Sequence, residues 1–457
     1  MIANKLYASV VLFVIAIVLG ALALFKSSFA PGWDSYFYML QAKSWLELRS
    51  LHSERYNVIY PLLICAQLIF DNYVFSYKLI SILAYGTLPV LLYRYLTKLH
   101  FNKFLVFGVC LLVIANPISI YFASQFTKNL IAVNLFILLM DSVSRKRWFL
   151  ALGFMILIAF SHKLMIALSI IYVGLYAFSY LPIREVYLRW LCLFMMTVSV
   201  FLLMKILAPS YLAKSWNIPT MSFIDSHVEM INGIWKLVLY AFTVLIPFCF
   251  LFPFKGDKNQ MKQGFTLAMF FIFLQLPFLK WGTMELSFRL FMIFGLLSPI
   301  LVLFIRLHDI AKTGLACVLI LISFGSFPGY KSQLQDPPYI QYKFISSRLA
   351  KVYEEKEINL LICHKALAEY VSFHHMEDVL PWNVEGSEVN DNVYRLAYIP
   401  SELQVKFENV MINEFHKRIT SNYFLLREKI WRDEFLASLD DAEKVIIQTW
   451  KNPWMIR

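Results

Sequence analysis

The sequence is dominated by a succession of apolar runs that repeat from the N-terminus to about residue 327. They fall at 6–25, 74–93, 104–120, 127–141, 148–162, 164–181, 190–207, 233–253, 264–281, 289–305 and 310–327. Most reach the roughly 17 residues or more that a helix needs to cross the hydrocarbon core of a bilayer. A segment in that core finds no water for its peptide groups, so only helices and closed barrels cross it. Barrel strands alternate apolar and polar residues over about ten positions, and these runs do not alternate. Composition closes the other routes: 59% of the residues are hydrophobic and 16% charged, against about 25% charged in soluble domains. A soluble enzyme, a nucleic-acid-binding module and a disordered chain are thereby excluded. Gly 15 and Pro 17 in 457 residues are too few for a fibrous or low-complexity chain.

Charge divides the chain in two. Residues 331–457 carry 16 basic and 19 acidic residues, and the preceding 330 carry 26 and 11. The net +12 therefore belongs to the apolar part, where loop cations orient a membrane protein. With the N-terminus inside, one set of connections holds Lys5, Arg94, Lys98, Lys103, Arg145, Lys146, Arg147, Arg184, Arg189, Lys255, Lys258, Lys262, Arg306 and Lys312. The opposite turns are poorer, with Lys128, Lys163, Lys205, Lys214 and Lys280; loop 26–57, which has four cations, is the exception. About eleven spans then put the N-terminus in the cytoplasm, with the tail and loop 26–57 on the outer face. The expected organisation is a transmembrane domain at 1–327, with an outer loop at 26–73, and an extramembrane domain at 328–457. Phe327-Pro328-Gly329 is read as the breaker between them. In the tail, 357–364 and 393–399 read as strands and 413–439 as mostly helical, giving a small α/β or α+β domain. Ala21-Leu22-Ala23 loosely resembles a signal-peptide cleavage site, but the first run is long enough to span. Five of the six cysteines lie in apolar runs and no CxxC pair occurs, which argues against a cysteine zinc site. His364, His374 and His375 fit no compact metal-ligand spacing.

The outer loop holds the most informative residues. Pro31 and Gly32 break the first span, and a helix then starts near Asp34. Trp33, Tyr36, Phe37, Leu40 and Trp45 are expected along the bilayer surface, in an interfacial helix. Asp34 either caps that helix at its positive end or presents its carboxylate to a site. Tyr60-Pro61 opens a second short apolar segment, too short to span comfortably.

These pieces together resemble the GT-C glycosyltransferases. More narrowly, they are similar to the branch holding the protein O-mannosyltransferases and the lipid A aminoarabinose transferases. The likeness rests on Asp34 after the first span, Tyr38 and Gln41-Ala42 on the helix that follows, and the Tyr60-Pro61-Leu62 step. Gln125-Phe126-Thr127-Lys128-Asn129, Ser161-His162-Lys163 and Glu285-Leu286-Ser287-Phe288-Arg289 extend it over roughly residues 1–305. One departure is Asp34-Ser35, where several relatives carry two adjacent acidic residues. No cofactor is expected, and the departure leaves use of a divalent metal open.

The resemblance implies an enzyme of the plasma (inner) membrane. It would move a hexosyl or pentosyl sugar from a polyprenyl-phosphate donor to a glycan, lipid or protein acceptor on the outer face, with membrane lipids as partners and no nucleic acid. It implies Asp34 as the base that takes the acceptor's proton. Lys128, Lys163 and Arg289 become the cations for the donor phosphate. Tyr38, Gln41, Tyr60, His162 and Glu285 become the lining of the substrate cavity. The residues alone also fit plainer roles. Arg289 and Glu285 stand at i,i+4 and are spaced to pair, the two lysines are placed to anchor span ends, and His162 is a polar residue able to hydrogen-bond. A lipid-linked oligosaccharide polymerase or ligase, and a transporter or flippase, are the alternatives; no internal repeat of the kind transporters carry is visible.

Overall fold

The computed structural model describes residues 2–52, 56–179, 258–275, 284–305, 307–330, 338–355, 360–363, 365–375, 379–381, 393–411 and 416–444. The expected spans 190–207 and 233–253, and Lys280, lie outside the described residues. In chain order the helices are α1 (Ile2–Leu24), α2 (Ser35–Leu48), α3 (Ile59–Phe70), α4 (Tyr73–Lys98), α5 (Lys103–Ala115), α6 (Pro117–Gln125) and α7 (Thr127–Ser144). They continue with α8 (Trp148–Ser161), α9 (Lys163–Ser179), α10 (Lys258–Gln275), α11 (Met284–Leu297), α12 (Asp309–Tyr330), α13 (Tyr339–Glu355), α14 (Lys365–His375) and α15 (Ser401–Val410). Two compact units result. One comprises Met1–Ser28, Tyr56–Ile59 and Lys78–Gln335; the other comprises Phe29–Arg55, Tyr60–Tyr77 and Asp336–Arg457.

The first unit is a helical membrane domain. Among the described residues, Leu6–Leu24, Tyr73–Lys98 and Thr127–Ser144 are each long and apolar enough to cross a bilayer, and α5 with α6 is so only as a pair taken together across a bend. The run 104–120, near which the apolar stretches could be divided in more than one way, breaks between α5 and α6 with a 51° bend. Pro117 has no N–H to donate and fixes its own φ, so the helix cannot run through it. Asn116 repairs the break. Its side chain accepts the Ile118 N–H at 2.9 Å and donates to the Gly295 carbonyl at 2.8 Å, which ties the bend to α11. Other polar side chains in this apolar core are similarly matched. Asn134 donates to the Ala84 carbonyl at 2.7 Å, and the Tyr95 and Tyr172 hydroxyls donate to Gln263 Oε1 at 3.0 and 3.2 Å. Helices α1 and α4 approach closely at glycine: a Cβ on Gly86 would meet Ile17 Cδ1 at 2.9 Å and Phe13 Cε2 at 3.0 Å, as expected where small residues let membrane helices touch. A correction concerns 327–329, which do not end the last span; α12 continues through them to Tyr330.

The second unit is built on a mixed sheet of β1 (Leu360–Cys363), β2 (Val379–Pro381), β3 (Val393–Tyr398), β4 (His416–Arg418) and β5 (Tyr423–Arg427). The strand order is β2-β1-β3-β5-β4. Strand β1 pairs in parallel with β2 and β3, whereas β5 runs antiparallel to β3 and β4. Both strands read from the sequence are present. The segment 413–439, read as mostly helical, is corrected: β4 and β5 occupy its first half and helical turns follow over Glu428–Ile430 and Trp431–Leu436. Tyr423, Phe424, Leu425 and Leu426 are all buried. A run apolar on both faces has no period that tells a strand from a helix.

Arg395 on β3 and Glu428 are both buried and bonded through two contacts, one from Nη2 to Oε1 at 2.7 Å; Arg432 Nε also reaches Glu428 Oε1 at 2.6 Å. Removing one partner of a buried pair leaves an uncompensated charge and costs roughly 3–5 kcal/mol, whereas replacing both is often near neutral. Glu428→Leu should therefore lower the unfolding temperature of the full-length protein in detergent, and Arg395→Met in the same chain should recover much of the loss.

Candidate functional site

The site is built on the first loop of the second unit. Gly32 has φ 88, a left-handed conformation that favours glycine. It turns the chain so that α2 begins at Ser35. Ser35 is buried; its hydroxyl donates to the Gly32 carbonyl at 2.9 Å and lies 3.2 Å from the Tyr339 hydroxyl. Tyr339 Oη also donates to the Gly32 carbonyl. An acidic residue at position 35 would bury a carboxylate against carbonyl oxygens, so serine suits this place in the fold.

Asp34 stands at the N-cap position of α2, yet its side chain makes no cap hydrogen bond. The carboxylate turns instead to Lys365, whose ammonium donates to Oδ1 at 2.8 Å. Tyr38 Oη donates to Oδ2 at 3.4 Å. Lys365 lies 3.6 Å from Glu369 Oε1, one turn further along α14. The three side chains grade from wet to dry, with fractional exposures of 63% for Lys365, 32% for Asp34 and 9% for Glu369. Among the described residues, Glu369 Oε2 has no hydrogen-bond partner.

Topology explains the meeting. Lys365 opens the helix that leaves the C-terminal end of β1, with β2 on one side of that strand and β3 on the other. Ligand sites in open α/β sheets form at such strand ends. A cation at a helix N-terminus faces the positive end of the helix dipole, which costs about 0.3–1 kcal/mol; the Asp34 carboxylate offsets that here. Tyr36 on α2 packs against Tyr370 at 4.7 Å and Tyr339 at 4.9 Å, which seats α2 on α13 and α14. Of the residues expected along the bilayer surface, Tyr36 and Leu40 are instead buried in this unit, while Trp45 stays 39% exposed.

The electrostatics follow from burial. Burial pushes the Glu369 carboxyl up to about 8; Lys365 pulls it down and Asp34 adds to the rise. Burial acts to lower the Lys365 ammonium, but Asp34 and Glu369 outweigh it and hold the lysine above its ordinary value. Burial, then the Asp34 charge, raises the Tyr38 phenol well above its usual range, so it remains a neutral donor.

Other candidates divide between the units. Tyr38, fully buried Gln41 and Tyr60 share the second unit with Asp34, and the Tyr38 ring lies 6.4 Å from both Tyr60 and Tyr77. Lys128, His162 and Lys163 lie in the first. There Ser161 Oγ donates to the Lys128 carbonyl at 3.2 Å, and Asn57 Nδ2 donates to the Ser161 carbonyl at 2.8 Å. The segments 125–129 and 161–163 thus meet, with His162 buried and Lys163 exposed. Glu285 and Arg289 lie on α11 one turn apart, and their side chains fall outside the described residues. The sequence argument missed Lys365 and Glu369, although Lys365-Ala-Leu-Ala-Glu369 has i,i+4 spacing. It also missed Lys78, which is buried, donates to the Ser27 carbonyl and lies 5.3 Å from the Phe25 ring centroid. A lysine inside an apolar run was its available signal. His375 contacts Ser346 Oγ at 2.8 Å.

Because the folded chain holds the Glu369 proton up to about 8 and an unfolded chain releases it near 4.3, folding binds a proton between those values. The stabilisation is complete at the acid end and is lost as pH rises through about 8. Glu369→Gln cannot ionise. Its unfolding temperature should exceed that of the parent more at pH 8 than at pH 5, as followed by thermal unfolding in detergent.

No protein-family model matches the sequence, and no curated protein is similar to it by sequence. Solved structures are similar in fold. The crystal structure of ArnT from Cupriavidus metallidurans in the apo state superposes with a TM-score of 0.56 at 10% identity, covering 91% of this chain and 97% of that one. The same protein bound to undecaprenyl phosphate gives 0.54 at 12% identity, with the same coverage. The chain therefore has the ArnT fold over nearly its whole length, the fold that the order of its motifs implied.

Proposed function

We propose that this protein is a membrane glycosyltransferase. It takes a sugar from a polyprenyl-phosphate donor and passes it to a hydroxyl of a glycan, lipid or protein acceptor at the outer face of the plasma membrane. One observation carries the proposal. Asp34 is not consumed as a helix cap; it is a partly exposed carboxylate, held on one oxygen by a lysine at 2.8 Å. That carboxylate sits in a fold shared with a protein solved bound to undecaprenyl phosphate.

The proposed reaction uses that carboxylate as a base. The acceptor oxygen attacks the anomeric carbon of the sugar while Asp34 takes its proton. The bond from that carbon to the phosphate oxygen breaks, and polyprenyl phosphate leaves with the electron pair. An anionic leaving group needs cations where charge develops. We assign that task to Lys128 and Lys163, whose segments meet in the first unit, and to Arg289, whose planar guanidinium suits bidentate phosphate contact. Tyr38, Gln41 and Tyr60 in the second unit, and His162 and Glu285 in the first, are proposed as substrate-binding residues.

Asp34→Asn keeps the shape of the side chain and loses its basicity. It should cut transfer by roughly 10²–10⁴-fold with normal membrane insertion, measured as release of polyprenyl phosphate by membranes supplied with lipid-linked sugars extracted from the source cells. Transfer near the parent rate would remove Asp34 from the chemistry. The proposed orientation is tested separately. Val405 is 70% exposed, so a cysteine placed there should react with an impermeant maleimide in intact cells; reaction only after permeabilisation would put this domain in the cytoplasm.

A further inference from the structure

The hairpin turn between β4 and β5 draws two arginines together. Arg348 on α13 donates from Nη1 to the Ile419 carbonyl. Arg418, at the end of β4, donates from Nε to the Thr420 carbonyl at 3.3 Å and from Nη2 to the Ser421 carbonyl at 3.0 Å. Two guanidinium groups from separate elements are thus fastened to consecutive carbonyls of one turn. Each also lies over an aromatic ring, Arg348 on Phe344 at 4.2 Å and Arg418 on Phe424 at 5.5 Å. The turn itself is fixed. The Ile419 and Thr420 N–H groups donate to the Tyr423 carbonyl at 2.8 and 3.1 Å, and Gln404 Nε2 donates to the Ser421 carbonyl at 3.0 Å.

These arginines wall a cleft of about 490 Å³, lined by Gln341, Phe344, Arg348, Arg418, Thr420 and Ser421. Small-molecule sites span roughly 300–1,000 Å³. Gln341, Phe344 and Arg348 share one face of α13, while Tyr342, Ile345 and Leu349 turn into the unit and are buried. The cleft lies apart from Asp34. The loop before α2 packs on Tyr339 at the start of α13, and Arg348 stands further along that helix by about 14 Å, at roughly 1.5 Å per residue. We propose that this cleft binds an acidic sugar, one carrying a carboxylate or a phosphate, as a site separate from the one at Asp34.

The lining selects that ligand. None of its six residues is acidic. Among the described residues Arg348 makes no ion pair, and Arg418 reaches only Glu408, at 4.0 Å with both side chains more than half exposed, a pairing that contributes little. Like charges brought to one turn repel, so an anion is the occupant that lowers the energy of the cleft. Each guanidinium has N–H donors beyond those spent on the carbonyls, in a planar fork suited to a carboxylate or a phosphate. The rest of the lining fits a sugar rather than a bare ion. Phe344 is 48% exposed although Arg348 lies on its ring, which leaves apolar surface for the C–H face of a pyranose. Gln341, Thr420 and Ser421 supply an amide and two hydroxyls for the hydroxyl groups of that ring. Turn and guanidiniums are already held in place, so binding has little left to order. The cleft is independent of the chemistry assigned to Asp34.

The test uses the full-length protein in phosphatidylcholine nanodiscs and phenylglyoxal, which reacts with accessible guanidinium groups, with peptide mapping at Arg348 and Arg418. Galacturonate, galactose 6-phosphate, galactose and inorganic phosphate are added at equal concentration and ionic strength. Galacturonate or galactose 6-phosphate should slow modification of both arginines, and galactose and inorganic phosphate should protect at least about tenfold less well. Phe344→Ala should raise the half-protecting concentration of the acidic sugar roughly tenfold, the scale of one lost aromatic contact. Without sugar, Arg418 in that variant should react at the parental rate, because the turn is intact. Arg348→Gln should abolish protection at Arg418. Protection by neither acidic sugar overturns the proposal, as do equal protection by inorganic phosphate, an unchanged half-protecting concentration in Phe344→Ala, and persisting protection in Arg348→Gln. Protection found only when phosphatidylglycerol replaces phosphatidylcholine also overturns it, and makes the cleft a contact with the bilayer surface.

Discussion

Every peptide group placed in hydrocarbon must find its partner within the protein, and the first unit shows that constraint being met where it is hardest to meet. A proline between α5 and α6 breaks the backbone ladder inside an apolar core. Asn116 supplies both an acceptor for the next helix and a donor for the Gly295 carbonyl. Without such repair the break would leave orphaned groups costing several kcal/mol each. Asn134, Gln263 and Tyr85 act similarly between other helices, Tyr85 by donating to the Ile114 carbonyl at 2.5 Å. Lys128, His162 and Lys163 lie at helix ends of this unit.

The second unit solves the reverse problem. Its loop is wet enough to need charge and dry enough to make charge costly. Asp34, Lys365 and Glu369 resolve this by a gradient of exposure, with one cation shared between an accessible carboxylate and a buried carboxyl that keeps its proton. The same geometry accounts for Ser35: its hydroxyl both donates and pairs with Tyr339 in a space where a carboxylate would meet only oxygen atoms.

Much of this was legible in the sequence where the signal is local. The apolar runs gave helices near their observed places, and Pro31-Gly32-Trp33-Asp34 marked the turn and the start of α2. Asp34, Tyr38, Gln41 and Tyr60 were singled out and lie in one unit. The partner of Asp34 was not legible, because Lys365 is 331 positions away and nothing in either segment names the other. The strand Tyr423–Arg427 was hidden for a different reason: buried on both faces, it lacks the alternation that marks a strand. The place of the break between α5 and α6 was hard to fix because the run is almost uniformly apolar, although Asn116-Pro117 carried the signal for it.

The tie between Ser35 and Tyr339 joins positions 304 apart, and the stacking of Phe29 joins the same Tyr339 to one more position of that loop. Such contacts are among the last a chain can make, since closing so long a loop requires nearly all of it to exist. During synthesis the Asp34 loop therefore emerges early and waits, with Tyr36 and Ser35 lacking their packing partners, until Tyr339 and α14 have been made. A ribosome that stops short leaves a chain whose membrane helices are present but whose Asp34 loop has nothing to lean on. The site thus gains its packing only once Tyr339 and α14 have been made, and a copy stopped before them presents an uncovered aromatic loop to quality control.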